Sequence, residues 1–581
     1  MKLVVEKPKK KDEEMLRTIW WSLLSLTLLG MCLFAEADLT NEKLRLPRIF
    51  GDHMVLQQGQ DLPLWGKAKP GETVRVTVGD RSGETVVGAD GKWMLRLKPM
   101  PVTQEAVQVK ISSADEEKVF DDVLIGEVWL CSGQSNMAMG IGNMKVGEHV
   151  IAKANHPKLR MFLMPRSVSF EKAEDVEAKW VVCTPESLAP QGYGWGGFSA
   201  IGYYFGSALL NNLDRPIGLI GAWDGGTRIH CWTSLEGLQS LPGTQTDTAK
   251  RVREFLKKKA SLAVDMEKHT NVLMPRYNAE FKLWKQAHDQ TMAAWSEARA
   301  QAQKENNPLP PRPARAKLSR RPLAPDATFS LATVLFNAKI APIAPYALRG
   351  VLWYQGEANA YPKQNEEYRD LLPIMIADWR KHWAQPDLPF LYVQLPNLNS
   401  HGGAEQYKEW WPILRESQRL AGSTPNTAMV VSIDVGDPND LHPTVKKPIA
   451  DRLVLAARKL AYGEDLVISG PMIDRATLQD DQVVLHFTDR GRGLMIGGVD
   501  DDLQVHESTG TPENFELAGE DGLFVPSQAK IEGDKVLVWN EVIPNPKAVR
   551  YAWDDNPEPA VNLYNKEGLP ASPFKIRVGT E

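Results

Sequence analysis

Ser135 is the first residue in this chain whose type and setting suggest chemistry. It lies in Gly126 to Met137, GEVWLCSGQSNM, where an apolar strand-like run enters a small-residue turn that presents a hydroxyl. A serine opening a helix has unpaired backbone N–H groups beside it, which suit a developing oxyanion. The same position also suits an ordinary helix N-cap. The string is not the Gly-x-Ser-x-Gly elbow, because Met137 stands where the second glycine belongs.

A serine nucleophile needs a base. Of 11 histidines, His442 stands out, in Asp440-Leu441-His442-Pro443 between a strand-like run and the helix-like Ile449 to Leu460. A carboxylate two residues away, Asp440, can fix an imidazole tautomer and stabilise its cation. An Asp helix cap beside a solvent-facing histidine accounts for the tetrapeptide equally well. Two further strand ends are rich in polar and glycine residues. Gly225-Gly226-Thr227 follows the run Ile217 to Ile220, and paired glycines permit close backbone approach to a ligand. Gln355, in Trp353-Tyr354-Gln355-Gly356-Glu357, offers a side-chain N–H. Tight turns explain each loop singly. One ligand site at the carboxyl edge of a parallel sheet explains all four together.

The elements that must position these residues are legible as patterns. Residues 44–120 alternate apolar and polar residues in short runs such as Thr73 to Val78 and Trp93 to Leu97, which predicts an N-terminal β-sandwich. From 121 to 465, continuous apolar runs at 128–130, 217–220, 350–353, 390–393 and 428–431 alternate with helix-like segments. That is the signature of a parallel sheet covered on both faces. Residues 242–326 read as an insertion: Tyr277, Phe281, Trp284, His288, Met292 and Trp295 form an apolar stripe at helical spacing, followed by a stiff, basic, proline-rich connector from Pro308 to Pro325. Strand signals return at 482–487 and 535–539, so residues 466–581 are expected to be β-rich.

Composition sets the outer bounds. Hydrophobic residues make up 43% and charged residues 24%, which excludes a disordered or collagen-like chain. A net charge of −5 lacks the basic excess of a nucleic-acid binder, and 4 cysteines are too few for a disulfide scaffold. No zinc-type His/Glu motif is present, and no metal or cofactor is expected. Arg17, the largely apolar run Ile19 to Phe34 and Ala35-Glu36-Ala37 read as a cleaved signal peptide over 1–37, a run of sixteen residues falling short of the ~20 a membrane span needs. Met15 would make a more ordinary start than Met1. Cleavage removes six basic and five acidic residues, leaving −6 on a secreted or periplasmic chain that no longer holds a membrane segment.

The assembled strings resemble the sialate O-acetylesterases of the SGNH hydrolase superfamily, relatives of bacterial acetylxylan esterases. The resemblance is carried by Gly126 to Met137, Gly225-Gly226-Thr227 with Trp232-Thr233-Ser234, Trp353 to Asn359 (WYQGEAN) and Asp440 to Pro443. Flanking support comes from Leu46 to Gln57 (LPRIFGDHMVLQ) and the AVRYAW, NLYN and EGLPASP strings between Ala548 and Ser572. It implies a flavodoxin-like, three-layer α/β/α catalytic domain flanked by the two β-rich domains. By motif position Ser135 is then the nucleophile, His442 the general base and Asp440 its orienter. Gly225 or Gly226 and Gln355 would join the Ser135 N–H in an oxyanion hole, and Arg228 and Glu357 would contact substrate. The chain departs from the pattern at Asn439, where the superfamily usually has Asp. It departs again at Arg228 and His230, where family members tend to carry Pro and Glu. The expected activity is hydrolysis of O-acetyl esters on a carbohydrate, sialate or alternatively xylan or another polysaccharide. A non-catalytic carbohydrate-binding protein is the reading from a different class.

Overall fold

The computed structural model describes residues 43–579, apart from 115, 191–194, 244–245, 401–406 and 501. The signal-like segment 1–37 lies outside the described residues.

One strand organises the chain. Glu116–Gly133 runs for 18 residues, half-exposed through its first third and then buried without interruption from Val123. Its first part pairs antiparallel with Val107–Ser113, which pairs in turn with Thr73–Val78. Its second part pairs parallel with Ile217–Trp223 on one side and Gly350–Tyr354 on the other. The transition expected near residue 120 therefore falls inside a continuous strand. The N-terminal β region and the parallel sheet share it.

The parallel sheet runs Thr427–Val430, Phe390–Val393, Gly350–Tyr354, Glu116–Gly133, Ile217–Trp223 and His156–Leu163, with Trp180–Cys183 antiparallel at its edge. The last two strands were not apparent from the sequence. Helices cover both faces. Trp129 packs on Phe205 of helix Ala200–Leu213 and donates to Tyr462 at the end of helix Lys447–Tyr462. A side chain at neighbouring Gly350 would collide with the Trp129 ring, its Cβ 2.4 Å away. On the opposite face Trp353 packs edge-on against Trp379 of helix Gln364–Trp383 and donates to Tyr368.

The C-terminal β region, an eight-stranded sheet with a smaller three-stranded one, docks on the end of the parallel sheet through Arg415. That guanidinium is fully buried and donates to the carbonyls of Leu395, Pro396, Asp554 and Asp555, so it ties the two parts without a carboxylate partner. Among the described residues, no helix is long and apolar enough to cross a membrane.

The insertion forms a helical arm. Helix Asp247–Lys268 continues through a π-helical turn into Met274–Lys304, which buries none of its residues. The arm is rooted by Glu367, which accepts from the Asp247 and Thr248 N–H groups, and by Phe255 stacked on Phe170 at 5.6 Å. The proline-rich segment does not simply leave the helix as a connector, nor does the aromatic stripe pack over the sheet edge. Instead the segment returns along that stripe: Trp284 donates to Ala316 O (2.9 Å), Trp295 to Pro310 O (3.1 Å), and Arg315 lies over the Trp284 ring. A lone polar helix of this kind needs some such partner, and proline residues supply one at little entropic cost. His269 and the Pro322 carbonyl meet at 3.3 Å, so the chain re-enters where it left. Deleting 270–321 with a short Gly-Ser bridge is expected to leave turnover of a small acetyl ester within about twofold of the parent, because the lost surface touches little else. Complete loss in a folded deletion variant, measured by ester hydrolysis and circular dichroism, would make the arm part of the active site.

Candidate active site

At the carboxyl end of the central strand Gly133 adopts φ +140°, and a Cβ there would lie 2.1 Å from the Tyr354 carbonyl oxygen. The chain then turns into the one-turn helix Ser135–Ala138. Its N-cap is Gln134 rather than Ser135, and no side chain caps it. The Ser135 hydroxyl makes no hydrogen bond among the described residues. It faces a cavity of about 260 Å³ lined also by Ala138, Met164, Arg166, Trp195, Asp224 and Gly225. The N-cap reading of Ser135 gives way to an unengaged hydroxyl. A larger cavity, about 880 Å³, lies in the N-terminal β region around Trp65 and Trp93 and contains none of these loops.

The four expected loops do meet. Asp224 donates its N–H to Gly133 O (3.2 Å), and Gln134 donates to Tyr354 O (3.0 Å). A Cβ on Gly225 would stand 3.5 Å from Ser135 Cβ, so this glycine abuts Ser135. Gly226 is different: its surroundings are open, and it is its left-handed φ of +70° that favours glycine. Neither the Ser135 nor the Gly225 N–H has an acceptor among the described residues, as expected at a helix start and a tight turn.

His442 does not itself line this cavity, but it meets edge-on, at 4.5 Å, the ring of Trp195, which does. Its Nε2 is buried with no hydrogen-bond partner. Burial, followed by the nearby Lys446 charge, holds its pKa below the usual 6.5 against the smaller upward pull of Asp440. The imidazole is accordingly neutral at pH 7, as a general base must be.

Four expectations change. Asp440 does not hydrogen-bond the imidazole: its Oδ1 accepts from the His442 backbone N–H at 2.8 Å and stands 4.0 Å from Nδ1. An Asp side chain two residues before an N–H closes this local turn readily. Gln355 is fully buried, and its Nε2 is shared among Asn359 Oδ1 (2.8 Å), Thr227 O (3.1 Å) and Gln134 Oε1 (3.2 Å), while Tyr368 donates to its Oε1. Its amide clamps three loops and has no free N–H for an oxyanion. Glu357 is buried behind the serine helix, accepting from Asn136 Nδ2 at 2.5 Å, and does not line the cavity. Arg228 lies half-buried near the Tyr361 ring, outside the cavity that Ser135 lines.

Residues not anticipated supply the rest. Asn136 donates to Glu357 and to Leu441 O (3.0 Å) and accepts from Lys446 Nζ (2.6 Å). It thereby pins the residue before His442 to the residue after Ser135. Lys446 is buried, its pKa pushed down to about 7 by desolvation and partly restored by Glu357. The signal was local: Asn136 adjoins the serine, and Lys446 follows His442 by four residues. Arg166 and Asp224 line the cavity beside Ser135. Among the described residues, no group of three or more His, Cys, Asp or Glu side chains gathers as a metal site would need. Cys131, Cys183 and Cys231 are buried and unpaired.

The chain that carries this serine, its unpaired backbone donors and the nearby histidine is similar to proteins of known class. The family model described as carbohydrate esterase, sialic acid-specific acetylesterase, matches residues 125–264 and 331–453, breaking over most of the arm. Sialate O-acetylesterase from Rattus norvegicus is 27% identical over 578 residues, covering 92% of this chain and 94% of the relative. Sialate O-acetylesterase from Homo sapiens is 27% identical over 479 residues, covering 76% of each. The crystal structure of a carbohydrate acetylesterase from Xanthomonas citri superposes with a TM-score of 0.71 at 29% identity, covering 92% of this chain and 99% of that one. The protein is thus a carboxylic ester hydrolase built on a mixed α/β fold. Along most of its length it is similar to the sialate O-acetylesterases.

Replacing Asn136 with Ala unpins the Leu441-His442 segment and leaves Glu357 and Lys446 without their bridge. A misplacement of about 1 Å can cost on the order of 10²-fold in rate. The expected outcome is a fall in kcat of that order with KM little changed, and steady-state kinetics on a small acetyl ester checks it.

Proposed function

We propose that this chain is a serine esterase that removes O-acetyl groups from a carbohydrate, with Ser135 as nucleophile and His442 as general base. The catalytic region is read as the flavodoxin-like, three-layer arrangement of the SGNH hydrolases, flanked by the β-rich regions 44–120 and 466–581. The observation that carries the reading is the unengaged Ser135 hydroxyl sharing its cavity with Trp195, against which stands a histidine whose Nε2 lacks a partner.

In this mechanism Ser135 Oγ attacks the acetyl carbonyl carbon while its proton passes to His442 Nε2. The former carbonyl oxygen becomes an oxyanion stabilised by the Ser135 and Gly225 N–H groups, and a donor of this type typically contributes about 2.7–4 kcal/mol. Collapse breaks the ester C–O bond, and the sugar oxygen leaves with the proton from His442. Water then loses a proton to His442 and attacks the acetyl-enzyme, releasing acetate and restoring Ser135. Asp440, 4.0 Å from the ring, stabilises the imidazolium by charge rather than by a hydrogen bond.

Ser135→Ala and His442→Ala are each expected to fold and to lose nearly all acetate release. Because the two act as one unit, the double variant should be no slower than the worse single. Multiplicative losses would overturn the shared mechanism. The base must be neutral to act, and its neutral fraction rises as pH rises through a pKa lying below 6.5. The acid limb of kcat/KM should therefore fall below pH 6.5, and a limb above that value would exclude His442 as the base.

Export is proposed on Arg17, the Ile19 to Phe34 run and Ala35-Glu36-Ala37. The mature N-terminus is expected near Asp38. N-terminal sequencing that found the apolar run retained would favour an anchor instead.

A further inference from the structure

Arg166 follows the strand His156–Leu163 and lines the same cavity as Ser135. Its side chain is 62% exposed, yet it is held from two sides. Nε lies 3.2 Å from Asp224 Oδ1, and the guanidinium carbon stands 3.9 Å from the Phe329 ring centroid. Neither Nη group has a partner among the described residues, so the outer edge of the fork is open. Behind it Asp224 pairs with Lys339 Nζ at 2.7 Å, and Lys339 also donates to Trp223 O. Both members of that pair are buried. Whichever of them holds the proton, their charges sum to zero, so the cavity wall keeps the full positive charge of Arg166. Serine, alanine, glycine, leucine, methionine and tryptophan complete the lining and add no charge.

We propose that Arg166 is a specificity-determining residue that takes the carboxylate of an acidic acetylated sugar while the acetyl ester lies over Ser135. A planar guanidinium fork fixed at Nε and on one face matches a carboxylate bidentately, which an ammonium cannot do. At about 260 Å³ the cavity falls just below the ~300–1,000 Å³ typical of larger ligand sites, which suits one sugar ring rather than a polymer segment. Arg228, which the family resemblance offered as a substrate contact, lies outside the cavity. The inference rests on Ser135 being the nucleophile.

The test compares the full chain with Arg166→Gln and Arg166→Lys on three probes: a free 9-O-acetylated sialic acid, its carboxyl methyl ester, and p-nitrophenyl acetate. The parent should prefer the free acid over its methyl ester by about 10–100-fold in kcat/KM, expressed mainly in KM, the range expected when a charge-assisted pair is lost. Arg166→Gln should erase that preference while leaving the methyl ester and p-nitrophenyl acetate unchanged. Arg166→Lys should restore part of it, since charge returns without the fork. Equal losses on all three probes, or a parent indifferent to methylation, would overturn the role of Arg166 and leave the esterase reading intact. A parent that releases acetate from none of them would overturn both.

Discussion

Everything at the site depends on one close approach, that of Gly133 to the carbonyl of Tyr354. Two neighbouring parallel strands end at the same level, and the central one must leave the sheet at once to begin a helix. With a Cβ 2.1 Å from a carbonyl oxygen, no other residue fits without separating the strands. The turn delivers Ser135 to the sheet edge with its N–H unpaired. It also brings Gln134 beside the Gln355 loop, where Gln134 Oε1 accepts from Ala358 N–H (3.1 Å) as well as from Gln355. The uninterrupted burial of the strand below explains why this geometry is stiff: the tightly packed core transmits strain and has no slack to absorb it.

Above that constraint the site is held by buried polar groups, which are costly unless satisfied. Gln355 is the hub of the neutral part, spending its whole amide on three loops and Tyr368. The charged part is Lys446–Asn136–Glu357, in which an amide separates the lysine from the carboxylate. Breaking such a cluster by removing one member leaves a buried charge uncompensated, at a cost of about 3–5 kcal/mol for a buried pair. The cluster therefore fixes where the His442 segment can sit. It also bears on the titration of His442, because the Lys446 charge adds to the larger effect of burial in lowering the imidazole pKa.

The sequence was most informative where chemistry and hydrophobicity coincide. The apolar runs at 217–220, 350–353 and 390–393 lie within strands and that at 428–431 overruns its strand by one residue, and the loops after them converge, because a strand buried on both faces has no other composition open to it. His156–Leu163 escaped notice because Arg160 interrupts its pattern. In the fold that arginine is buried and paired with Asp122 at 2.6 Å, a compensation visible only once the strands are neighbours. With the strand missed, its following loop was not recognised as part of the sheet edge, and Arg166 was missed with it. The loops that hold Gln355, Glu357 and Asp440 were legible, but the partners of these side chains were not. Spacing in the chain does not say whether an amide faces a cavity or the core. Nor does it say whether a carboxylate two residues away will prefer a ring or a backbone N–H.

The placement of charge divides labour between binding and reaction. In the proposed mechanism the groups nearest the reacting carbonyl are backbone N–H donors, which strengthen as the oxyanion develops but hold little of the ground state. A guanidinium in that position would also bind the acetate product and slow its release. The ionisable groups stand one step back: Lys446, buried against Asn136, and Arg166, which lines the cavity and is tethered by Asp224. There a charge can select and orient an acidic sugar through atoms that do not react. Binding energy gained at the carboxylate then serves to position the ester, which is how contacts remote from the reacting bond come to lower its barrier.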